Sequence, residues 1–218
     1  MLVDVASAYG PRGALILFVV AGGGGLLAET TGVHTGFPFG AYDYTGTLGP
    51  ELLGVPVLVP LAWIMMAWPA LAVARRLTGG SAWRTPVVGA VALTAWDVFL
   101  DPQMVDAGYW TWSHPTPALP GVQGIPITNF AGWLLVSFLM LVVLNAALDR
   151  PSADPVNQVI PITVYLWTYV TSVVANLFFW GRPPVAVVGG LIMGLIAVPL
   201  AISLIRERRR TRGRDVGN

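Results

Sequence analysis

Six long apolar runs constrain this chain more than any other feature. A helix needs roughly 20 mostly apolar residues to cross the hydrocarbon of a bilayer. The runs are Gly13–Glu29, Leu53–Ala74, Pro86–Leu100, Ile127–Leu148, Val156–Trp180 and Pro184–Ile205. They are too long and too irregular in alternation for barrel strands. The expected fold is therefore all-α: a polytopic bundle of about six transmembrane helices over residues 1–205, with an Arg-rich, frayed tail at 206–218. The third run is short and is expected to end at Asp101-Pro102. Pro56, Pro60 and Pro69 are expected to kink or break the second. The first resembles a signal peptide only superficially, because Asp4 and a single base precede it and no convincing cleavage site follows. It reads as a retained helix.

Composition agrees. Of 218 residues, 55% are hydrophobic and 11% charged, and the mean hydropathy is +0.69. One soluble core of this size cannot enclose that much apolar surface. A net charge of +1 provides no field for nucleic acid. The absence of cysteine excludes disulfides and thiolate chemistry.

Charge placement orients the bundle. All 12 basic residues are arginine. With six spans, Arg12, Arg75, Arg76, Arg84, Arg150 and the six tail arginines share one side, and only Arg182 faces the other. The positive-inside rule then places both termini in the cytoplasm of a multi-pass cell-membrane protein. Most acids gather at the opposite end: Glu29, Asp43, Glu51, Asp97, Asp101 and Asp106, with Asn129 and Asn176 at similar depth.

Asp97 and Asp101 are four residues apart and share a helix face. Inside a span such acids are costly and are expected to point into the bundle. Desolvation and a like-charged neighbour favour retention of a proton by the pair, which makes a proton donor. The alternative is that Asp101 merely ends its helix in headgroup water. Tyr165, Tyr169, Ser172 and Asn176 form a polar stripe suited to interhelical hydrogen bonds. Gly190 and Gly194, and the run Gly22–Gly25, read as packing faces. Two outer loops of about 25 residues carry Phe37, Phe39, Tyr42 and Tyr44, and Tyr109, Trp110 and Trp112. These aromatics form either an interfacial belt or the mouth of an apolar pocket over the acids. His34 and His114 lack partners at metal-ligand spacing, so no metal is expected. No phosphate-binding loop, nucleophile elbow or zinc-protease motif is present. A single DxxxD also falls short of the paired acidic motifs of magnesium-dependent prenyltransferases.

Several ordered motifs resemble the bacterial and archaeal carotenoid biosynthesis membrane proteins. They include Gly36-Phe37-Pro38-Phe39-Gly40, Tyr42-Asp43-Tyr44-Thr45, Asp97-Val98-Phe99-Leu100-Asp101-Pro102-Gln103-Met104, Gly108-Tyr109-Trp110-Thr111-Trp112, and Asn129-Phe130-Ala131-Gly132-Trp133. The likeness runs from about Gly36 to Leu135. It implies a carotenoid 1,2-hydratase of the gamma-carotene 1'-hydratase or bisanhydrobacterioruberin hydratase type, a hydro-lyase acting on lycopene-like ends without a redox cofactor. The implied partners are a long polyene entering from the bilayer, water, membrane lipid and other carotenoid enzymes.

Protonating a trisubstituted terminal alkene at C2 places a cation at C1, which water captures. That chemistry assigns Asp97 as proton donor and Asp101 as its tuner or water-positioning neighbour, with Glu29 and Asp43 as alternates. Asn129 and Asn176 would orient a carboxyl or a water. Phe37, Tyr44, Trp96, Trp110 and Trp112 would contact the polyene end. Competing expectations are a carotenoid cyclase sharing the protonation step, a proton-coupled transporter and a non-catalytic pigment-binding subunit.

Overall fold

The computed structural model describes residues 1–148 and 158–215. Arg150 and the first residues of the fifth apolar run lie outside the described residues, as do residues 216–218. Among the described residues the first span is α1 (Leu2–Leu17), a π-helical turn (Phe18–Gly23) and α2 (Gly24–Thr35). Next come α3 (Leu58–Thr78), α4 (Arg84–Asp106), α5 (Ile127–Ala147), α6 (Val159–Phe178) and α7 (Pro183–Asp215). The all-α polytopic architecture is as expected. Five of the helical stretches are long and apolar enough to cross a membrane. The helix outside that set is α4, which carries the buried acids. Its enclosure among α3, α5 and α7 supplies the apolar cover that its own composition lacks.

Several boundaries differ from the expectation, each for a physical reason. The first helix starts at Leu2 and breaks at Gly10, whose φ of 73° is left-handed. The segment before the break turns back along α3. There the Trp68 indole donates to Asp4 (2.6 Å) and Arg75 donates to the Tyr9 hydroxyl (2.9 Å). The second span begins at Leu58, because Glu51–Leu52 (β2) and Val55–Pro56 (β3) pair as a small hairpin. It then runs unbroken through Pro69. The third does not stop at Asp101-Pro102. Helix α4 continues to Asp106, and Asp101 is 3% exposed rather than in headgroup water. A proline removes one backbone hydrogen bond, and α4 tolerates this loss because its flanks are packed. Beyond Ile205 the chain is not frayed but stays helical to Asp215, with Arg206, Arg208 and Arg209 exposed.

Sequential packing puts the arginines at one pole. Arg75 donates to the Asn145 side chain (2.9 Å) and to the carbonyls of Asn145 and Leu148, beyond the end of α5. Arg76 pairs with Glu207 on α7. At the other pole Arg182 pairs with Asp106 (2.5 Å). Between the poles α5 lies antiparallel to α4, with Leu141 against Gly89 and Asn129 against Asp101. The expected packing faces are present: Gly22 faces Ile64, Gly25 faces Trp63, and the Gly190 carbonyl accepts a hydrogen bond from Tyr169.

The two outer loops contain strands that apolar periodicity alone did not indicate. Tyr42–Tyr44 (β1) and Trp110–Trp112 (β4) pair antiparallel, Tyr42 opposite Trp112 and Tyr44 opposite Trp110. Ala118–Leu119 (β5) and Val122–Pro126 (β6) form a second hairpin that leads into α5. A strand's side chains alternate between faces. The β1–β4 ribbon therefore turns four aromatics toward the bundle and Asp43 and Thr111 away from it.

Candidate functional site

Helix α2 contributes the first wall of the site. Gly25, Glu29 and Gly32 fall at helical spacing along one stripe. A Cβ at Gly25 would sit 2.6 Å from the Trp63 ring, and one at Gly32 would sit 2.9 Å from Phe39 and the Tyr42 hydroxyl. The two glycines let α3 and the first loop press against α2 so that their polar tips reach Glu29. The Tyr42 hydroxyl donates to Glu29 Oε2 at 2.5 Å and the Tyr44 hydroxyl to the same oxygen at 3.0 Å. The Trp63 indole donates to Oε1 at 3.1 Å. Burial first, and then the neighbouring Glu29 carboxylate, pushes both phenols well above their ordinary range. Both therefore stay protonated and act as donors.

Helices α4 and α5 contribute the second wall. The Asn129 amide nitrogen donates to Asp97 Oδ2 (3.0 Å) and to Asp101 Oδ2. The Trp110 indole, brought by β4, donates to Asp101 Oδ1 at 3.2 Å. Both Oδ2 atoms thus converge on the single Asn129 amide nitrogen. Asp97 is 0% exposed and its Oδ1 has no hydrogen-bond partner.

Between these walls lies an apolar cavity of about 170 Å³. An apolar void of roughly 150 Å³ accepts benzene, so this one admits the tip of a long hydrocarbon and not its length. Asp101, Glu29 and Asn129 are the polar groups on its surface that bear on chemistry; the rest is largely aromatic and aliphatic. Trp63 and Trp133 stack at 4.0 Å between centroids, and Phe39 closes one side. Tyr44 meets Trp110 edge to face at 5.7 Å, linking the Glu29 and Asp101 clusters through one aromatic contact. Leu48, Leu58, Val59 and Met104 add apolar lining, and Leu58 is itself exposed on the surface of the bundle.

The candidate residues divide clearly. Asp101, Glu29, Asn129, Tyr44, Trp110 and Trp112 all line the cavity. Asp97 lies behind Asp101, joined to it through Asn129. Trp96 is buried and supports Trp133 edge to face without lining the cavity. Three candidates lie elsewhere. Asp43 is exposed on the outer face of β1 because the strand alternates. Phe37 is 63% exposed, and its place is taken by Phe39, two residues on. Asn176 is buried near the end of α6, donating to the Ser172 carbonyl (2.9 Å), and has no part in the cavity wall. Sequence reasoning missed Tyr42, Trp63 and Trp133 as site residues. Tyr42 was legible from the alternation of Tyr-Asp-Tyr opposite Trp-Thr-Trp, whereas Trp63 and Trp133 carry no local signal. Among the described residues no cluster of acids and histidines could hold a metal ion.

Comparison with known proteins places this chain in a family. The model of the family described as "Carotenoid biosynthesis protein" matches residues 1–197. The chain belongs to that family. A bisanhydrobacterioruberin hydratase from Haloarcula japonica is 34% identical over 128 residues, which make up 56% of this chain and 41% of that relative's length. The chain thus spans less than half of that relative in the shared stretch. No solved structure matches.

Proposed function

We propose that this chain is a carotenoid hydratase that adds water to the terminal C1–C2 double bond of an acyclic carotenoid end. One observation carries the reading: of two buried carboxyl groups held on one Asn129 amide, Asp101 opens onto an apolar, aromatic cavity sized for a chain tip. Family membership and the hydratase relative point to the same chemistry. The polyene enters from the bilayer over the rim at Leu58 and Met104, and its end rests among Trp63, Trp110 and Trp133.

Asp101 delivers the proton, because it lines the cavity while Asp97 does not. Its proton forms a C–H bond at C2 with the π electrons of the double bond, leaving the positive charge on the tertiary C1. Asp97 holds the companion position, sharing the proton and the Asn129 amide. The aromatic faces stabilise the cation through their quadrupoles. The enclosed site delays premature capture by bulk water. Water then forms the C1–O bond and loses a proton, giving a tertiary alcohol with no change of redox state. The Arg-rich pole faces the cytoplasm by the positive-inside rule, so the cavity opens toward the outer half of the membrane.

Mass spectrometry of pigments from a lycopene-producing host expressing this chain tests the proposal. A gain of one water per reacting end is expected. Products of unchanged mass with rings would identify a cyclase, and unaltered pigment would refute catalysis on this substrate.

A further inference from the structure

Glu29 occupies a separate part of the cavity wall from the carboxyl pair, on a different helix and with different partners. Asp97 and Asp101 divide one amide donor between two carboxyl groups, with the Trp110 indole as a further donor to Asp101. Glu29 meets only donors among its bonded partners: two phenols on Oε2 and one indole on Oε1. These hold both oxygens as acceptors, beside carbon surfaces that offer no positive charge of their own. A transient cation in the cavity would face this carboxylate. Acid-catalysed addition has two proton transfers, one to carbon and one away from the attacking water. Carbon protonation and oxygen deprotonation occur at different atoms of the substrate, so two carboxyl centres in one cavity match the two tasks.

We propose that Glu29 is the catalytic base of the hydration, binding the attacking water and accepting its proton. The inference rests on the hydratase reading and assigns the half of the reaction that Asp101 does not perform. In the balanced step, water oxygen forms the bond to C1, one O–H bond breaks, and its proton passes to Glu29. The carboxyl thus protonated loses its proton to solvent at the outer face, and Asp101 regains one. In reverse, protonated Glu29 donates to the hydroxyl, water departs, and the C1 cation returns without any bond change at C2. Glu29 and Asp101 therefore separate in an oxygen-exchange experiment.

The full chain in detergent or bilayer discs is given the tertiary alcohol in ¹⁸O-labelled water, and label in the alcohol is measured beside hydration of the alkene. The wild type should do both. Asp101→Asn should lose hydration yet still incorporate ¹⁸O, whereas Glu29→Gln should lose both by about 10²–10⁴-fold, the usual range for a general acid or base. Polyene binding, read from the shift of its visible absorption, should persist in both variants. Tyr44→Phe, which withdraws one donor from Glu29 without touching the carboxyl pair, should slow oxygen exchange about tenfold. Wild-type exchange or hydration in Glu29→Gln overturns the assignment, as does loss of exchange in Asp101→Asn. A wild type that performs neither reaction overturns the hydratase reading itself, which distinguishes that failure from failure of the Glu29 role.

Discussion

Two buried charge clusters occupy opposite poles of this bundle, and their surroundings differ. At the arginine pole the Arg75 guanidinium donates to Tyr9, to the Asn145 side chain and to two backbone carbonyls, all within 3.0 Å. Those partners come from α1, α5 and the turn after α5, so the cation joins three segments. At the acidic pole Asp97, Asp101 and Glu29 are also buried, but Asp101 and Glu29 keep one side facing an apolar void. A buried charge surrounded by fixed partners holds structure in place, because its removal orphans every partner. A buried charge beside a cavity can exchange a proton with whatever enters.

The sharpest break of that comparison is Asp101→Asn. It preserves shape and the contact with Asn129, yet should reduce hydration by about 10²–10⁴-fold with the melting temperature nearly unchanged. Pigment analysis beside thermal unfolding in detergent checks both halves. A large loss of stability would show that the pair is structural after all. Arg75→Ala should do the reverse. Four orphaned acceptors should cost about 2–4 kcal/mol of stability, while the residual folded protein keeps its turnover per molecule. Equal loss of specific activity would join the two poles functionally.

Gly32→Ala probes the packing that brings Tyr42 to Glu29. Its new Cβ meets Phe39 and the Tyr42 hydroxyl at 2.9 Å. Overpacking of this kind costs about 1–3 kcal/mol, and activity should fall several-fold because Tyr42 is displaced; measuring both in one preparation tests the link. The smallest effect belongs to Asp43→Asn. Its side chain lies on the outer face of β1, so activity should stay within about twofold of the wild type. A large loss would return Asp43 to the catalytic set and contradict the strand alternation.

The candidate residues that the fold brings to the cavity from the spans share a property. Asp101, Glu29 and Asn129 are polar groups where apolar runs end or begin, and the cost of burying them marks them without any coordinates. Two of the candidates that lie away from the cavity do so for one reason. Phe37 and Asp43 sit in loops whose facing depends on a strand pair that forms only when two segments far apart in the chain meet, as at Asp43 and Thr111. Trp63 and Trp133 resemble any apolar helix residue until α3 and α5 stack them. Pro102 shows the converse error. A local rule ends the helix there, but α4 runs through it to Asp106, with Asp101 and Pro102 themselves buried.

By itself, the chain's order of residues determined the membrane bundle, the gathering of arginines at one end and the acids at the other, and the pairing of Asp97 with Asp101 on one helix face. These follow from transfer free energies and helical period, which act over short stretches of chain. Which carboxyl meets the cavity, which aromatics enclose it and which loop residues turn outward were decided only in three dimensions. They depend on contacts between distant segments, where helices close enough to touch leave a void of one shape and no other.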